Sequence, residues 1–412
     1  MGRREGHTLR GQCTIWTLNR ICVIINDYQF KKGSTQLKRA FTVSLDYVKK
    51  ADMLLLALSL ICSIFGLILI WSSTRNLSGG AGQFLPVQIG ALVLGVVCFV
   101  LFSAVDLDSI ATRWKFLLVF NVLILLSLRV FGYGIAGGYR IWLRFFGIGI
   151  QPSEIVKITF IVMFAYHIQY LKEYKNLNSF FSLAQLAVHL GYLLVLLPDL
   201  GNTLIFIFVF IAMLFLAGVK LRWFALGGAL VAAVMPIVWG MMNEYQRYRI
   251  LAPFDPTIDP LNLHWNFQPH RSQMAIGAGQ VTGQGIGQGT QTQSGGVPEQ
   301  WTDFIFSAAG EELGLIGAVA VIVLLAVVII RCFYVAAKAR DTLSALACAG
   351  IGSFMLFQTL MNIGMTLGLT PVVGIALPFF GYGGSSIVTT FIAMGIVCGV
   401  KMRTVSPWKR VL

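Results

Sequence analysis

Charged side chains are scarce in this chain, and acidic ones are scarcer than basic ones. Only 12% of the 412 residues are Asp, Glu, Lys or Arg, whereas 57% are hydrophobic and the mean hydropathy is +0.77. This balance excludes a water-soluble domain, because apolar runs of roughly 17 to 25 residues recur along the chain and each can cross a bilayer as a helix. The sequence therefore predicts an all-α, multi-pass membrane protein.

Cysteines are absent from every segment predicted to face outward. Cys13 and Cys22 lie in the N-terminal tail, Cys332 follows an apolar run, and the others lie within apolar runs. That distribution excludes a disulfide framework and a clustered metal site. A cleavable signal peptide is not expected either, because the first apolar run long enough to insert begins near Met53, behind a long basic segment.

Ten apolar runs are predicted to span the membrane, and the seventh and eighth flank a long polar segment. The fifth and sixth meet at Pro198-Asp199-Leu200-Gly201, so the count of ten depends on a chain reversal at that turn. The predicted spans are 53–71, 84–104, 115–131, 155–170, 180–197, 203–218, 224–242, 313–330, 343–369 and 385–400.

Most of the 31 Lys and Arg residues lie in the first 50 residues and in the loops on the same side of the predicted membrane. The positive-inside rule then places both termini in the cytoplasm. The predicted domains are a basic cytoplasmic extension (1–50) that contacts anionic lipid, a ten-helix transmembrane domain (51–403) with a large external loop (243–303), and a short cytoplasmic tail (404–412). The net charge of +14 is therefore interpreted as a topology signal and not as a nucleic-acid-binding patch.

Residues 132–154 connect spans three and four and carry aromatic and basic side chains, including Arg140, that suggest an amphipathic segment at the membrane surface. Pro152 and Glu154 occupy the first turn of span four, and Lys157 follows one turn later. Glu154 and Lys157 either contribute to a binding site or form an ion pair that only anchors the helix, and the sequence leaves both open.

The loop 243–303 is too long to be only a connector, although its Gly- and Gln-rich series 277–296 is by itself typical of a flexible linker. The loop contains Arg249 near its start and ends at Asp303, where the chain passes from polar to apolar sequence. An ionisable residue at such a boundary is expensive. Asp303 is therefore either a functional acid or the N-cap of a helix that begins at Phe304.

Four blocks of the sequence together resemble the SEDS family (shape, elongation, division and sporulation) of integral membrane peptidoglycan polymerases. The resemblance runs from about Asp46 to the C-terminus, and residues 285–293 are closer to the elongation-type RodA branch than to the division-type FtsW branch. The blocks are Arg140-Ile141-Trp142 with Gln151-Pro152-Ser153-Glu154 and Lys157; Pro198-Asp199-Leu200-Gly201; Tyr245-Gln246 with Arg249 and Asp255-Pro256; and Pro298-Glu299-Gln300 through Asp303 with Asn362-Ile363-Gly364-Met365, Pro378-Phe379 and Tyr382-Gly383-Gly384-Ser385-Ser386.

The resemblance implies a glycosyltransferase that polymerises lipid II, the undecaprenyl-diphosphate-linked disaccharide pentapeptide, at the outer face of the bacterial cytoplasmic membrane. The family's essential acid falls on Asp303. A single carboxylate base suits this inverting transfer, because it removes a proton from the attacking 4-hydroxyl while the diphosphate already leaves easily. The charge of the diphosphate needs cations, for which Arg140, Lys157 and Arg249 are the candidates.

The remaining candidate residues receive supporting roles. Glu154 and Glu299 are grouped with the residues that bind substrate, although Glu299 can equally face water. Asp199 is expected to fix the loop geometry at its turn. Ser385-Ser386 supply either exposed amides for an anion or a surface for tight helix packing.

The sequence requires no cofactor and predicts no metal-binding residues. A divalent cation, Mg²⁺ or Mn²⁺, is chemically reasonable beside a diphosphate, but no cluster of ligands demands one. Trp301 stands where the family commonly has His, which excludes a histidine partner for Asp303. Glu311 and Glu312 are expected to be structural.

The resemblance also implies a partner, because SEDS proteins pair with a class B penicillin-binding protein, the transpeptidase that cross-links the new strand. Membrane lipids are expected contacts and nucleic acid is not. Two alternatives stay open: a lipid II flippase or other transporter, and a non-catalytic scaffold for the penicillin-binding protein. The scarcity of charge within the spans and the lack of an internal repeat count against a transporter.

Overall fold

The computed structural model describes residues 50–77, 80–134, 140–145, 148–197, 199–255 and 257–404. From Asp52 onward they form one compact unit. The predicted N-terminal extension and C-terminal tail lie outside the described residues, except for Lys50 and Thr404.

The described chain is almost entirely helical, with one short hairpin. Its elements, in chain order, are α1 (Met53–Thr74), α2 (Gly80–Ala104), α3 (Leu107–Ala111), α4 (Trp114–Phe131), β1 (Leu143–Phe145), β2 (Ile148–Ile150), α5 (Pro152–Tyr174), α6 (Phe180–Leu196), α7 (Leu200–Leu216), α8 (Leu221–Met241), α9 (Glu244–Leu251), α10 (Phe267–Ala278), α11 (Thr290–Gln293), α12 (Ile305–Ala337), α13 (Thr342–Thr366) and α14 (Gly384–Thr404).

Each of the ten predicted spans coincides with one of the ten long helices, which confirms the multi-pass helical fold. Eight of these helices are long and apolar enough to cross a membrane, and α6 and α7 are shorter apolar helices of 17 residues each. The uncertain fifth and sixth spans are separate helices. Asp199 caps the start of α7 by accepting a hydrogen bond from the Gly201 N–H at 2.9 Å.

The helices differ strongly in how much of their surface other helices cover. Most of α5 and α13 is buried, whereas no residue of α8 is buried. Helices α2 and α14 approach closely, because a Cβ atom added to Gly395 or Gly399 would lie 2.6 Å from the carbonyl oxygen of Phe99 or Ser103. Such small residues let apolar helices pack without a hydrophobic driving force from water.

The structure adds detail to three local predictions. The segment predicted to be an amphipathic piece at the membrane surface contains the antiparallel β1–β2 hairpin, with Leu143 opposite Ile150, and its location at the membrane stays a prediction; residues 135–139 and 146–147 lie outside the described chain. The series 277–296 is folded and not a flexible linker, since it contains α11 and its backbone bonds to α12. Helix α12 contains the predicted span 313–330 and extends back to Ile305, because buried hydrogen-bond partners allow the acids Glu311 and Glu312 inside a helix.

Candidate active site

Asp303 lies immediately before the start of α12. Phe304 occupies the N-cap position, so the alternative that Asp303 caps a helix beginning at Phe304 is wrong. Helix α12 is interrupted at Gly314, whose φ of 66° and ψ of −163° are accessible essentially to glycine alone. Residues 305–313 thus form a separate short helix, called here the half-helix, and Asp303 stands at its N-terminal end.

The break in α12 is closed by the glycine-rich segment 280–285. Carbonyl groups at the end of a helix need donors, and here the backbone of this segment supplies them. Gly283, with φ 82°, allows the approach, because a Cβ there would collide with the backbone of Glu312. The four hydrogen bonds run from Gln284 N to Glu311 O (3.0 Å), Gly285 N to Glu312 O (2.9 Å), Leu315 N to Gln280 O (2.9 Å) and Ile316 N to Val281 O (3.3 Å).

Two fully buried carboxylates secure the far end of the half-helix. Glu311 accepts four hydrogen bonds, from two backbone N–H groups and two hydroxyls within residues 290–292, at 2.6 to 3.1 Å. Glu312 accepts from the Ser72 hydroxyl on α1 at 2.6 Å and from the Gln293 amide at 2.9 Å. These acids therefore join the half-helix to the loop and to α1.

The connection between α13 and α14, residues 367–383, runs beside Asp303. Asn362 on α13 donates hydrogen bonds from its amide nitrogen to the backbone oxygens of Asp303 and Ile375, each at 2.7 Å. Gly374 has φ 68°, and a Cβ added to it would stand 3.6 Å from the Asp303 carboxylate. Gly374 therefore leaves room beside the Asp303 carboxylate. The Asn362 side-chain amide fixes the position of the Asp303 backbone.

The carboxylate of Asp303 is half-buried, and no described residue donates a hydrogen bond to it. Loss of solvent raises its pKa to about 7, with the negative charges of Glu299 and Asp199 adding to the rise and Arg249 opposing it. An unpaired carboxylate with a pKa near neutrality can accept a proton at physiological pH. This is the property that a general base requires.

Of the predicted cations, Arg249 lies close enough to Asp303 to oppose the rise in its pKa. Lys157 is almost fully buried and forms an ion pair with Glu154 at 2.7 Å. Its ammonium also lies 3.4 Å from the Gln358 side-chain oxygen, and the Gln358 amide nitrogen donates to the Ala376 carbonyl at 2.8 Å. The Glu154–Lys157 pair thus connects to the same 367–383 segment that borders Asp303.

Asp199 joins this group from α7. Burial raises its pKa, while hydrogen bonds from Asn202 and Gly201 and the charge of Lys157 oppose the rise. Since Asp199 also acts on Asp303, the structure brings these residues of α5, α7 and the half-helix into one electrostatic neighbourhood.

Arg140, Ser385 and Ser386 form no hydrogen bond or ion pair with Asp303 among the described residues. Arg140 is exposed and donates to the Arg129 carbonyl oxygen at 3.0 Å, with no interaction with Asp303 among the described residues. Ser385 accepts a hydrogen bond from the Gln151 N–H at 3.3 Å. Ser386, the next residue of α14, accepts a hydrogen bond from the Thr390 hydroxyl through its backbone oxygen.

Glu299 is exposed, has φ 55°, and accepts a hydrogen bond from the Thr302 hydroxyl at 3.1 Å. Its roles as an assistant to Asp303 or as a solvent-facing acid both stay predictions. Among the described residues no group of three His, Cys, Asp or Glu side chains could hold a metal ion. A divalent cation beside the diphosphate likewise stays a prediction.

Three amide side chains of the site were given no role from the sequence, although Asn362 and Gln300 belong to its motif blocks. Asn362 and Gln358 lie one turn apart on α13, and both are buried. Gln300 is buried too and donates to the backbone oxygens of Ser73 at 2.7 Å and Thr292 at 2.8 Å. Polar residues four apart within an apolar span are a signal that could have identified the first two.

Comparisons with known proteins point to one family. A family model described as "Cell cycle protein", covering FtsW, RodA and SpoVE, matches residues 52–405. A probable peptidoglycan glycosyltransferase FtsW from Geobacter metallireducens is 35% identical over 378 residues, which cover 88% of this chain and 98% of that protein. The peptidoglycan glycosyltransferase MrdB from Escherichia coli K12 is 33% identical over 351 residues, covering 84% and 92%.

Solved structures agree. A chain of a peptidoglycan synthase complex, described as coordinating polymerization and crosslinking, matches with a TM-score of 0.72 and 26% identity, covering 86% of this chain and 99% of that one. The rod shape determining protein RodA of Thermus thermophilus matches with a TM-score of 0.63 and 23% identity over 86% and 98% of the two chains. The second likeness concerns the fold alone.

Proposed function

This chain belongs to the SEDS family of peptidoglycan glycosyltransferases, and we propose that it polymerises lipid II into glycan strands with Asp303 as the general base. The proposal rests on the environment of this carboxylate and on its raised pKa. It is half-buried, it accepts no hydrogen bond from the described residues, and its pKa is raised to about 7.

The proposed reaction is an inverting displacement at the anomeric carbon of a lipid-linked sugar. The 4-hydroxyl oxygen of the acceptor forms the new glycosidic bond and gives its proton to Asp303. The bond between the anomeric carbon and the diphosphate oxygen breaks, and the diphosphate departs with the electron pair. Because that leaving group is already stable as an anion, one carboxylate is sufficient for the proton transfer.

Cations stabilise the departing diphosphate in this mechanism. Arg249 is the strongest candidate for direct contact, because it already acts electrostatically on Asp303. Lys157 is proposed to act from the interior, since it is paired with Glu154 and connected to residues 367–383. Arg140, which is exposed, is proposed to bind the diphosphate from the surface of the protein.

The membrane orientation follows from the distribution of basic residues. With most Lys and Arg on the side of the N-terminus, both termini lie in the cytoplasm, and Asp303 faces the outer surface of the bacterial cytoplasmic membrane. The similar chain in a peptidoglycan synthase complex supports a class B penicillin-binding protein as the partner that cross-links the product. The proposed cellular role is elongation and cell shape, or division, and the RodA-like series 285–293 favours elongation.

The test compares glycan polymerisation from labelled lipid II by wild type, Asp303→Asn and Asp106→Asn, each with a partner whose own chemistry is blocked. Asn keeps the shape of the side chain but cannot accept the proton, so Asp303→Asn should lose about 10²- to 10⁴-fold or more in rate. Asp106 is exposed, lies outside the motif blocks and accepts only the Ser109 N–H, so its Asn variant should polymerise normally.

The outcomes separate the candidate functions. Full polymerisation by a folded Asp303→Asn variant would place the base elsewhere. If the wild type makes no polymer but moves lipid II across vesicle membranes, the transporter replaces the polymerase, and the absence of both activities would favour the scaffold.

A further inference from the structure

A small cavity lies between the C-terminal end of α9, the first turns of α10 and the turn that follows α13. Its volume is about 190 Å³, below the roughly 300–1,000 Å³ of pockets that enclose a whole drug-sized ligand. Its lining includes three amide side chains, one imidazole and one glycine, namely Asn262, Asn266, Gln273, His270 and Gly368. A cavity of this size suits one ring-sized part of a larger ligand.

Hydrogen bonds hold one wall of the cavity in place. The buried carboxylate of Asp259 accepts backbone N–H bonds from Leu263, His264 and Asn266, each at 3.0 Å. The Asn266 amide nitrogen then donates to the Ala252 carbonyl oxygen, also at 3.0 Å. This wall is therefore formed before any ligand arrives, which reduces the entropy lost on binding.

The opposite wall is tied to the end of α13. The Ser272 hydroxyl donates to the Thr366 carbonyl oxygen, and the Gln273 amide nitrogen donates to the Leu367 carbonyl oxygen, both at 2.7 Å. Gly368 has φ 70°, and a side chain there would collide with the Gln273 amide. The glycine thus keeps Gln273 in the lining.

The chemistry of the lining selects an uncharged ligand. No Asp, Glu, Lys or Arg lines the cavity. Asn266 and Gln273 have their amide nitrogens engaged, and their side-chain oxygens have no partner among the described residues. Such oxygens accept hydrogen bonds from hydroxyl and amide groups, whereas a diphosphate or a charged peptide would enter without a counter-charge.

The cavity lies beside the site of Asp303 but does not contain it. Ala275 on α10 packs against Phe304, the residue after the acid. Ser272 and Gln273 bond to the end of α13 about one turn after Asn362, whose amide donates to the Asp303 backbone oxygen. On the other side, Ala252 follows Arg249 by one turn. A ring held in the cavity would thus be a neighbour of the reacting sugar.

From these observations we propose that the cavity is a saccharide subsite, which holds an uncharged ring of the glycan strand next to the ring that reacts at Asp303. The inference rests on the proposed function, because it assigns the ring to that function's substrate. A subsite of this kind would keep the growing strand bound between additions.

The test uses the full-length protein in detergent without lipid II, titrated with a β-1,4-linked tetramer of N-acetylglucosamine and followed by saturation-transfer NMR. The test variant is Asn262→Gly with His270→Ala. The matched control is Gln280→Gly, because Asn262 and Gln280 both carry amide side chains at positive φ, 52° and 49°, and Gln280 does not line the cavity. Wild type and control should bind saturably, and the double variant about tenfold more weakly from the loss of ligand hydrogen bonds.

Absence of saturable binding to the wild type, or equal binding by the double variant, would overturn the proposal. Displacement of the tetramer by a soluble pentapeptide would overturn it as well, by reassigning the cavity to the peptide stem. Polymerisation of lipid II is measured separately on the same preparations. Polymer without tetramer binding overturns the subsite alone. Tetramer binding without polymer overturns the proposed function and, with it, the assignment of the bound ring to the glycan strand.

Discussion

Two aspartates, at two different places in the fold, show what the environment does to the same side chain. Asp52 precedes α1 and is completely buried, and its carboxylate is paired with Arg331 at 2.8 Å and Lys401 at 3.1 Å. It also accepts the Leu55 N–H at 3.3 Å. Asp303 precedes α12 and has neither an ion pair nor a hydrogen bond to its carboxylate from the described residues.

The pKa values move in opposite directions. Burial by itself would raise the pKa of Asp52, but the hydrogen bonds and charges of Arg331 and Lys401 outweigh burial and hold the pKa below its usual range. For Asp303 burial dominates and the pKa rises to about 7. The comparison teaches that a satisfied carboxylate joins helices, while an unsatisfied one is available for proton transfer.

The largest predicted effect on stability is the loss of Asp52, the acid whose carboxylate is fully paired. Asp52→Ala should lower the free energy of unfolding by about 3 kcal/mol, near the low end for a broken buried pair, because Arg331 and Lys401 keep 20% and 30% of their side-chain surface exposed. Denaturant unfolding in detergent measures it.

The control for Asp52→Ala is Asp106→Ala, which removes an exposed N-cap acid that accepts only the Ser109 N–H. It should cost about 1 kcal/mol. Equal losses for the two variants would show that Asp52 acts as a cap and that its ion pairs contribute nothing.

A second variant tests another buried acid whose oxygens are fully hydrogen-bonded, Glu311. Glu311→Gln places an amide NH₂ where a carboxylate oxygen accepts hydrogen bonds from residues 290–292, so buried donors lose their partner at a cost of about 1–3 kcal/mol. Hydrogen exchange should become faster in residues 284–296. The exposed Glu244→Gln is the control, and faster exchange in both variants would contradict the assignment.

The raised pKa of Asp303 predicts how polymerisation and stability depend on pH. The rate should rise about tenfold per pH unit on the acid side and level off above about pH 7, where the carboxylate is deprotonated. In the folded state the group keeps its proton up to about pH 7, whereas in the unfolded state it loses it near 3.8. Its contribution to stability is therefore complete below pH 3.8 and is lost as pH rises through 7.

Asp303→Asn should accordingly be more stable than wild type above pH 7 and equal to it near pH 3.5, as measured by thermal unfolding at both values. A wild type whose stability rises between pH 4 and 7 relative to this variant would show that Asp303 is paired after all. The rate profile of wild type serves as the independent check.

The smallest predicted effect is the change in the pH midpoint on removal of Arg249, which is separate from the loss of rate expected from its proposed contact with the diphosphate. Since its charge opposes the rise in the Asp303 pKa, Arg249→Gln should shift the midpoint of the pH–rate profile upward. Arg247→Gln is the matched control, because Arg247 lies on the same helix and donates to the Gly240 carbonyl. A shift in both variants, or in neither, would remove Arg249 from the electrostatics of the acid.

Much of the fold is readable from the sequence because hydrophobicity along a span is a local property. Each of the ten apolar runs is a helix, and the boundary that contains Asp303 lies where the polar loop meets the bundle. The identity of the acid came from its motif. These features need no knowledge of what lies across the bundle.

Only the tertiary structure determines the surroundings of Asp303 and therefore its pKa. The break at Gly314 depends on hydrogen bonds to residues 280–285 that are distant in the sequence, and the same contacts turn a linker-like glycine series into a folded support. The isolation of the Asp303 carboxylate and the placement of Asn362 beside it also result from long-range packing. Composition and periodicity carry no information about such pairings. The position of the acid can therefore be predicted from the sequence, whereas its protonation depends on the residues that surround it in the fold.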